Sequence, residues 1–376
     1  MKPRWRQSLD WLCERVLSTR AAIGEDWPSH ADPVTGAWST TTDGDGCAGQ
    51  WIEALRIVGE RSGDRSLLAE ARKRTYRIRT QLERDDMFRG PAFYYSAARL
   101  EASEKNSAMR GLALAASRAM RAMALRANGA MPVGSEVPMA SAALASRNIV
   151  AIDNVHQSLL LDWWAFKETD DPTYRVGAER HLETAARDFI RPDGSTVEFV
   201  EYAPDNDAVL RRFTRLGSGH DSCWSRGQAW AIGGYLRAFE ALGERRWLDI
   251  ATRLLDYWWA HTGADRVPPY DFADTDPAAP PDTSASAILA ESLARLAVRP
   301  NLSEEARIAT DRLEPLLDGL AARLTPQSDS DRRPRGMLLD GCLDHPHRLA
   351  DRHELVWGDC YLLFALHCLD RNGLPC

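Results

Sequence analysis

An all-α fold, an (α/α)6 barrel of six helical hairpins, is the class that this sequence predicts, and three regularities predict it. First, apolar residues recur at helical spacing in about a dozen segments, near 4–20, 47–62, 65–83, 91–103, 106–126, 153–168, 173–190, 224–242, 246–261, 283–297, 303–323 and 354–370. Second, the even-numbered segments are apolar, as at 51–58, 92–98, 159–166, 229–236 and 361–366, whereas the odd-numbered ones are amphipathic and rich in arginine, as at Arg110, Arg118, Arg121 and Arg126. Third, connections into odd segments are short, as in Gly243-Glu244-Arg245, while those into even segments are mostly long: 21–46, 127–152, 191–223, 262–282 and 324–353. A helix apolar all round is buried and an amphipathic one lies at the surface, so the pattern describes an inner and an outer ring. The long loops then gather at one end, at the N-termini of the inner helices. One barrel spanning 1–376 is the expected domain. A two-domain helical protein or an open solenoid is the alternative; the sequence has no fixed repeat period and no linker.

Local signals punctuate these segments. Ala241-Leu242-Gly243 ends one helix with glycine just past its last turn. Ser303-Glu304-Glu305 opens another with a capping hydroxyl and first-turn acids. Arg191-Pro192-Asp193-Gly194 breaks a third, and Pro315 is placed to kink or split the 303–323 segment.

Composition excludes several function classes. With 44% apolar and 27% charged residues the chain has the make-up of a soluble globular protein. Its formal net charge of −7 is no nucleic-acid footprint. It has no apolar signal core near Met1 and no apolar run long enough for a membrane span. Seven cysteines, odd in number and without zinc-ligand spacing, read as reduced thiols of a cytoplasmic protein. The pair His345 and His347 lacks the cysteines or acids of a metal site, so no metal is expected. The sequence sets no oligomeric state.

Chemistry is expected where the long loops meet the inner helices. The stretch Trp224-Ser225-Arg226-Gly227-Gln228-Ala229-Trp230 opens the eighth segment, and 231–236 after it carry no charge. Arginine offers a fork of donors for a carboxylate, and tryptophan a flat face with one N–H for a sugar ring. Trp224, Arg226, Gln228 and Trp230 are therefore candidate substrate contacts. So are Trp51, which opens the second segment, and His156 in Asp153-Asn154-Val155-His156-Gln157, which opens the sixth. Asp282, opening the tenth, and Trp357-Gly358-Asp359, opening the twelfth, fall at the same end. Each has a plain structural alternative: Asp153 and Asp282 suit N-caps, and Trp51, His156 and Trp357 suit a core.

The tryptophan–arginine segment, preceded by Asp221-Ser222-Cys223, resembles the signature of the unsaturated glucuronyl hydrolases, related to the unsaturated rhamnogalacturonyl hydrolases. Ile152-Asp153-Asn154, Val267-Pro268-Pro269-Tyr270-Asp271-Phe272, Asp282-Thr283-Ser284-Ala285-Ser286-Ala287 and Trp357-Gly358-Asp359-Cys360-Tyr361 resemble further segments of that family, in order, over roughly 40–368. The resemblance implies an (α/α)6 barrel and an acidic oligosaccharide substrate ending in a uronate with a C4=C5 double bond. It implies that Asp153 is the acid/base that protonates C4 while water adds at C5, that Arg226 and Trp230 hold the uronate, and that no cofactor is needed.

The sequence also departs from that pattern. The family's His-Asp-Leu-Gly-Phe before a Tyr-x-Ser-Ala segment is here Met87-Phe88-Arg89-Gly90-Pro91 before Tyr94-Tyr95-Ser96-Ala97, so Phe88 takes the place of an acid unless Asp85 or Asp86 supplies it. Glu198 stands where the family has histidine, and Leu216 where it has glutamine. Glu198 and His220 are therefore further candidate substrate contacts, and with His156 they can form a different acid/base set around Asp153. Two rival readings follow: a uronate lyase on the same barrel, and a non-catalytic sugar-binding relative.

Overall fold

The computed structural model describes residues 1–137, 144–300 and 302–371. Its helices are α1 (Pro3–Ile23), α2 (Ala48–Ser62), α3 (Arg65–Arg77), α4 (Arg89–Phe93), α5 (Arg99–Glu104), α6 (Ser107–Met123), α7 (Leu160–Thr169), α8 (Pro172–Asp188), α9 (Ser225–Leu242), α10 (Arg245–His261), α11 (Thr283–Ala297), α12 (Glu304–Thr310), α13 (Leu313–Ala321) and α14 (Val356–Asp370). A π-helical turn, Tyr94–Ala98, joins α4 to α5. The Asp311-Arg312 step parts α12 from α13. Pro315 explains that break: its ring crowds the carbonyl four residues back, at Asp311. With these two joins the helices form six hairpins.

The rings are as the patterning predicts. In α11 every residue from Thr283 to Leu296 is buried, and in α14 every residue from Val356 to Cys368. Outer α10 buries only Trp247, Leu248, Ala251, Leu254, Leu255 and Trp258, a single stripe at helical spacing. Inner helices pack in sequence, α9 on α11, α11 on α14, α14 on α2, α2 on α4 and α4 on α7, and the 152–155 turn before α7 packs on α9, which closes the ring. Glycine allows the closest approaches. A Cβ added at Gly49 would lie 2.3 Å from the Pro91 carbonyl oxygen, at Gly90 2.5 Å from that of Gln157, and at Gly234 2.2 Å from that of Val155. Caps hold the termini: Ser303 accepts from the Ala306 N–H at 3.2 Å, and Gly243, at φ 70°, ends α9 in the left-handed region.

The long loops are more ordered than their sequence suggests. β1 (Trp27–Ala31), β2 (Trp38–Thr41) and β6 (Glu354–Leu355) form one antiparallel sheet in the order β2-β1-β6. β3 (Ile149–Ala151), β4 (Phe199–Tyr202) and β5 (Val209–Phe213) form another in the order β3-β4-β5. The helical class stands, with these two sheets added. Their cause is the need of loop backbone to pair its own N–H and C=O groups wherever it is covered. The Ile152 N–H continues the second ladder by donating to the Glu198 carbonyl at 2.9 Å. Cys13, Cys47, Cys223, Cys342 and Cys360 are free thiols, but Cys368 is disulfide-bonded, which departs from the expectation of seven reduced thiols. Cys376 lies outside the described residues. Among the described residues no helix is long and apolar enough to cross a membrane.

Gly234 sets the approach of α9 to the turn that follows β3. Gly234→Ala should therefore lower unfolding stability by roughly 1–3 kcal/mol, the cost of overpacking a tight contact. Denaturant titration measures this, and an unchanged midpoint would mean that the approach is not tight.

Candidate active site

Arg226, the second residue of α9, lies where three inner helices begin. Its Nη1 donates to Asp282 Oδ2 at 2.7 Å and to the Cys342 carbonyl, and its Nη2 to the Leu343 carbonyl at 2.9 Å. The guanidinium lies over the Trp224 ring at 4.6 Å and the Trp357 ring at 5.5 Å from their centroids. Asp282 is both cap and counter-ion, since its Oδ1 accepts from the Ser284 N–H at 3.0 Å and the Cys342 N–H at 3.2 Å. The N-termini of α9, α11 and α14 thus share one end with the last long loop. A Cβ at Gly227 would lie 3.0 Å from Ile152, which brings the 152–155 turn there too, and the Cys47 thiol before α2 lies within the field of Arg226. This corrects the expectation of a free fork. Most of the Arg226 fork is spent inside the protein, and Nε is the nitrogen that makes no hydrogen bond among the described residues.

Asp153 belongs to a short 3-10 turn, Ile152–Val155, that leaves the β3 ladder. Its carbonyl accepts from the N–H groups of His156 at 3.1 Å and Gln157 at 2.8 Å. Its side chain caps no helix, and Oδ1 is buried without a partner among the described residues. Burial, and then the neighbouring Glu198 carboxylate, push its pKa up to about 7 against the pull of Arg226. Glu198 is buried, and its Oε2 accepts from the Thr214 hydroxyl and from the N–H groups of Arg215 and Leu216, both at 2.8 Å. Burial raises the Glu198 pKa as well, opposed by those donors.

Aromatic rings line the barrel axis. Trp230 and Tyr361 meet edge to face, with centroids 5.3 Å apart, and His156 lies 5.3 Å from Trp230. His156 is buried, with both ring nitrogens unpartnered among the described residues. Burial, helped by Arg237, lowers its pKa to about 3, so it is neutral. The lack of a side chain at Gly233 makes room for it: a Cβ there would fall 2.9 Å from His156 Cδ2. Trp51 Nε1, Trp357 Nε1, Gln157 Oε1 and Ser158 Oγ are likewise buried without partners among the described residues. Each such group costs about 1–3 kcal/mol if it stays unpaired. Their clustering at the heads of the inner helices suits a ligand rich in hydroxyls.

Other expected contacts fall elsewhere. The Gln228 side chain is engaged within the protein. It is fully buried, and its Nε2 donates to the carbonyls of Gly194 at 2.8 Å and Leu254 at 3.0 Å, tying α9 to α10. His220 is exposed on the 214–222 turn, where Nδ1 accepts from the Thr214 N–H at 3.3 Å, so it supports the Glu198 clasp from outside. Trp224 serves Arg226 by stacking. Phe88 packs against Gly46, and Leu216 offers its backbone N–H rather than its side chain. Asp86 is a second buried acid raised to about 7 by burial, and its Oδ1 accepts from the Phe88 N–H at 2.8 Å. The charged neighbours of Asp153, however, are Glu198 and Arg226. His345 and His347 bond different carboxylates, Asp351 at 2.9 Å and Asp344 at 2.8 Å. Thr214 and Tyr361 were not legible as site residues. Tyr361 had one signal, its place one turn after Trp357 on an inner helix.

No protein-family model matches the chain. It is similar over its length to the unsaturated glucuronyl hydrolase of Bacillus sp. (strain GL1), with 28% identity over 378 residues covering 98% of this chain and 97% of that one. The crystal structure of the unsaturated glucuronyl hydrolase from Bacillus sp. GL1, described as responsible for the degradation of glycosaminoglycan, superposes with a TM-score of 0.86 at 25% identity, covering 98% and 97% of the two chains. A structure of a UGL variant with dGlcA-Glc-Rha-Glc matches with the same TM-score, 0.86, at 25% identity and the same coverage, 98% and 97%.

The raised pKa of Asp153 has a consequence for stability. The folded state holds this proton up to about pH 7, whereas an unfolded aspartate releases it near 3.8. Its contribution is therefore fully present below the unfolded value and is lost as pH rises through the folded one. Asp153→Asn should gain stability relative to the parent between pH 4 and 8, by roughly 2–4 kcal/mol at the upper end. Paired denaturant titrations across this range test it, and a difference independent of pH would mean that Asp153 titrates normally.

Proposed function

We propose that this chain, a member of the unsaturated glucuronyl hydrolase family, is a glycoside hydrolase that removes a 4-deoxy-4,5-unsaturated uronate from the non-reducing end of an acidic oligosaccharide. The observation that carries this reading is the Asp153 carboxyl, whose Oδ1 is buried without a partner among the described residues beside Glu198 and the locked Arg226 guanidinium, with burial raising its pKa. The C4=C5 bond of such a uronate is a vinyl ether. Asp153 gives its proton to C4, and the positive charge that develops at C5 is shared with the ring oxygen. Water then attacks C5 and returns a proton to Asp153. The hemiketal so formed opens, and the aglycone leaves from C1. One carboxyl group thus acts first as acid and then as base, in contrast with the two carboxylates that flank an anomeric carbon in ordinary glycosidases. This chemistry is acid–base throughout and calls on no cofactor.

Recognition follows the same geometry. The Arg226 Nε–H and the second Nη2–H, on one edge of the guanidinium, are the donors left for the uronate carboxylate, Trp230 gives a face for the ring, and the N–H groups of Trp51 and Trp357 meet hydroxyls. Phe88 and Leu216 have apolar side chains where the resemblance expects polar ones. The substrate accordingly lacks a hydrogen-bonding group at those edges, or another residue such as Glu198 meets it.

Two outcomes are expected. Asp153→Asn keeps the shape and removes the proton, so turnover should fall at least about 10²–10⁴-fold while sugar binding persists. The decay of the ultraviolet absorbance of the unsaturated uronide reports it, and wild-type activity in this variant would refute the mechanism. Arg226→Lys keeps the charge but not the planar fork, and affinity for the acidic sugar should drop by about 1–3 kcal/mol. Calorimetric titration with an unsaturated disaccharide measures this, and equal affinity would make Arg226 a purely structural residue.

A further inference from the structure

Proton transfer as described uses Asp153 alone, yet a second carboxylate is built beside it, and three donors hold one of its oxygens. Ala151 pairs with Phe199 across β3 and β4, and the Ile152 N–H donates to the Glu198 carbonyl at 2.9 Å. Glu198 and the Asp153 turn therefore leave one ladder side by side. Three donors from consecutive residues converge on Oε2 of Glu198: the Thr214 hydroxyl, the Arg215 N–H at 2.8 Å and the Leu216 N–H at 2.8 Å. Its Oε1 makes no hydrogen bond among the described residues. The clasp is itself braced. Thr214 Oγ1 accepts from the Gly217 N–H at 2.8 Å, and Arg215 pairs with buried Asp344 at 2.9 Å. Hydrogen bonds to a carboxylate favour its charged form.

We propose that Glu198 is a positioning residue: the Thr214–Leu216 clasp keeps it charged, and its repulsion keeps the proton on Asp153 until substrate arrives. The proposal rests on the hydration reading above. The charges on Asp153 come from Glu198 at the edge of β4 and from Arg226 on α9, with Asp282 behind Arg226. Those on Glu198 come from Arg215, which carries Asp344 and its partner His347 behind it, while His220 stands behind Thr214. Arg226 alone would draw the proton off Asp153. Burial and the Glu198 charge hold it there. The resemblance places histidine at this position, so the arrangement belongs to this chain.

Glu198→Gln removes the charge and keeps the shape. The alkaline limb of the kcat/KM profile should then move to lower pH by about one unit, the scale of a close like charge, with turnover on the acid side retained. Thr214→Val weakens the clasp, lets Glu198 take up a proton more readily, and should move the limb in the same direction by less. Thr214→Ser should restore the parent profile. A second readout needs no activity: the pH midpoint of the stability difference between parent and Asp153→Asn should fall when both carry Glu198→Gln. A uniform loss of activity at every pH with an unmoved limb, or an unmoved stability midpoint, would overturn the proposal and leave Glu198 a mere loop anchor. Should Asp153→Asn prove fully active, the hydration reading fails instead, and the stability midpoint still decides whether Glu198 and Asp153 are coupled.

Discussion

The buried pair of Arg226 and Asp282 is the interaction on which the site depends. Both side chains are almost fully covered, and they meet at 2.7 Å. Breaking such a pair by removing one partner costs about 3–5 kcal/mol, because the remaining charge is stranded. Here the pair gains what a lone buried bridge lacks. Arg226 also donates to two carbonyls of the last long loop, and Trp224 just before α9 and Trp357 on α14 cover its faces. Asp282 closes α11 and holds the Cys342 N–H. One ion pair therefore fixes the starts of three inner helices and the wall above them.

That fixed cation sets the electrostatic problem for Asp153. A guanidinium close by favours the anion, whereas burial and Glu198 favour the acid, and the balance comes out near neutrality. A uronate carboxylate bound at Arg226 would neutralise part of the opposing field. Substrate binding then strengthens the hold of Asp153 on its proton, so the acid is most firmly protonated when the double bond is in place. An enzyme whose acid depended on burial alone would lack this coupling.

Much of this was legible in the sequence, and the failures have physical reasons. Alternating apolar and amphipathic helices, with long loops entering the apolar ones, describe the two rings because burial sets composition. The small sheets were missed because strands of two to five residues leave no period to read. Gln228 was misplaced although its spacing was informative. It lies two residues from both Arg226 and Trp230, roughly 200° around the helix from each, and so faces α10 while those two face the cavity. Asp282 looked like an ordinary cap because a capping acid and a counter-ion have the same residue type at the same position. The Glu198 clasp had no signal, since its donors come from a turn 16 to 18 residues away whose shape no periodicity encodes. The departures at Phe88, Glu198 and Leu216 were visible, but only coordinates show that Leu216 contributes its backbone and Glu198 a charge.

In the proposed mechanism, release of the sugar follows protonation of C4 rather than attack at the anomeric carbon. Turnover of an unsaturated disaccharide in deuterated water, followed by NMR from the earliest time points, tests it most directly. One deuteron should be delivered to a single face of C4, with the double bond already gone when the aglycone is freed. A freed uronate that still carries its C4=C5 double bond and no deuterium at C4 would contradict it.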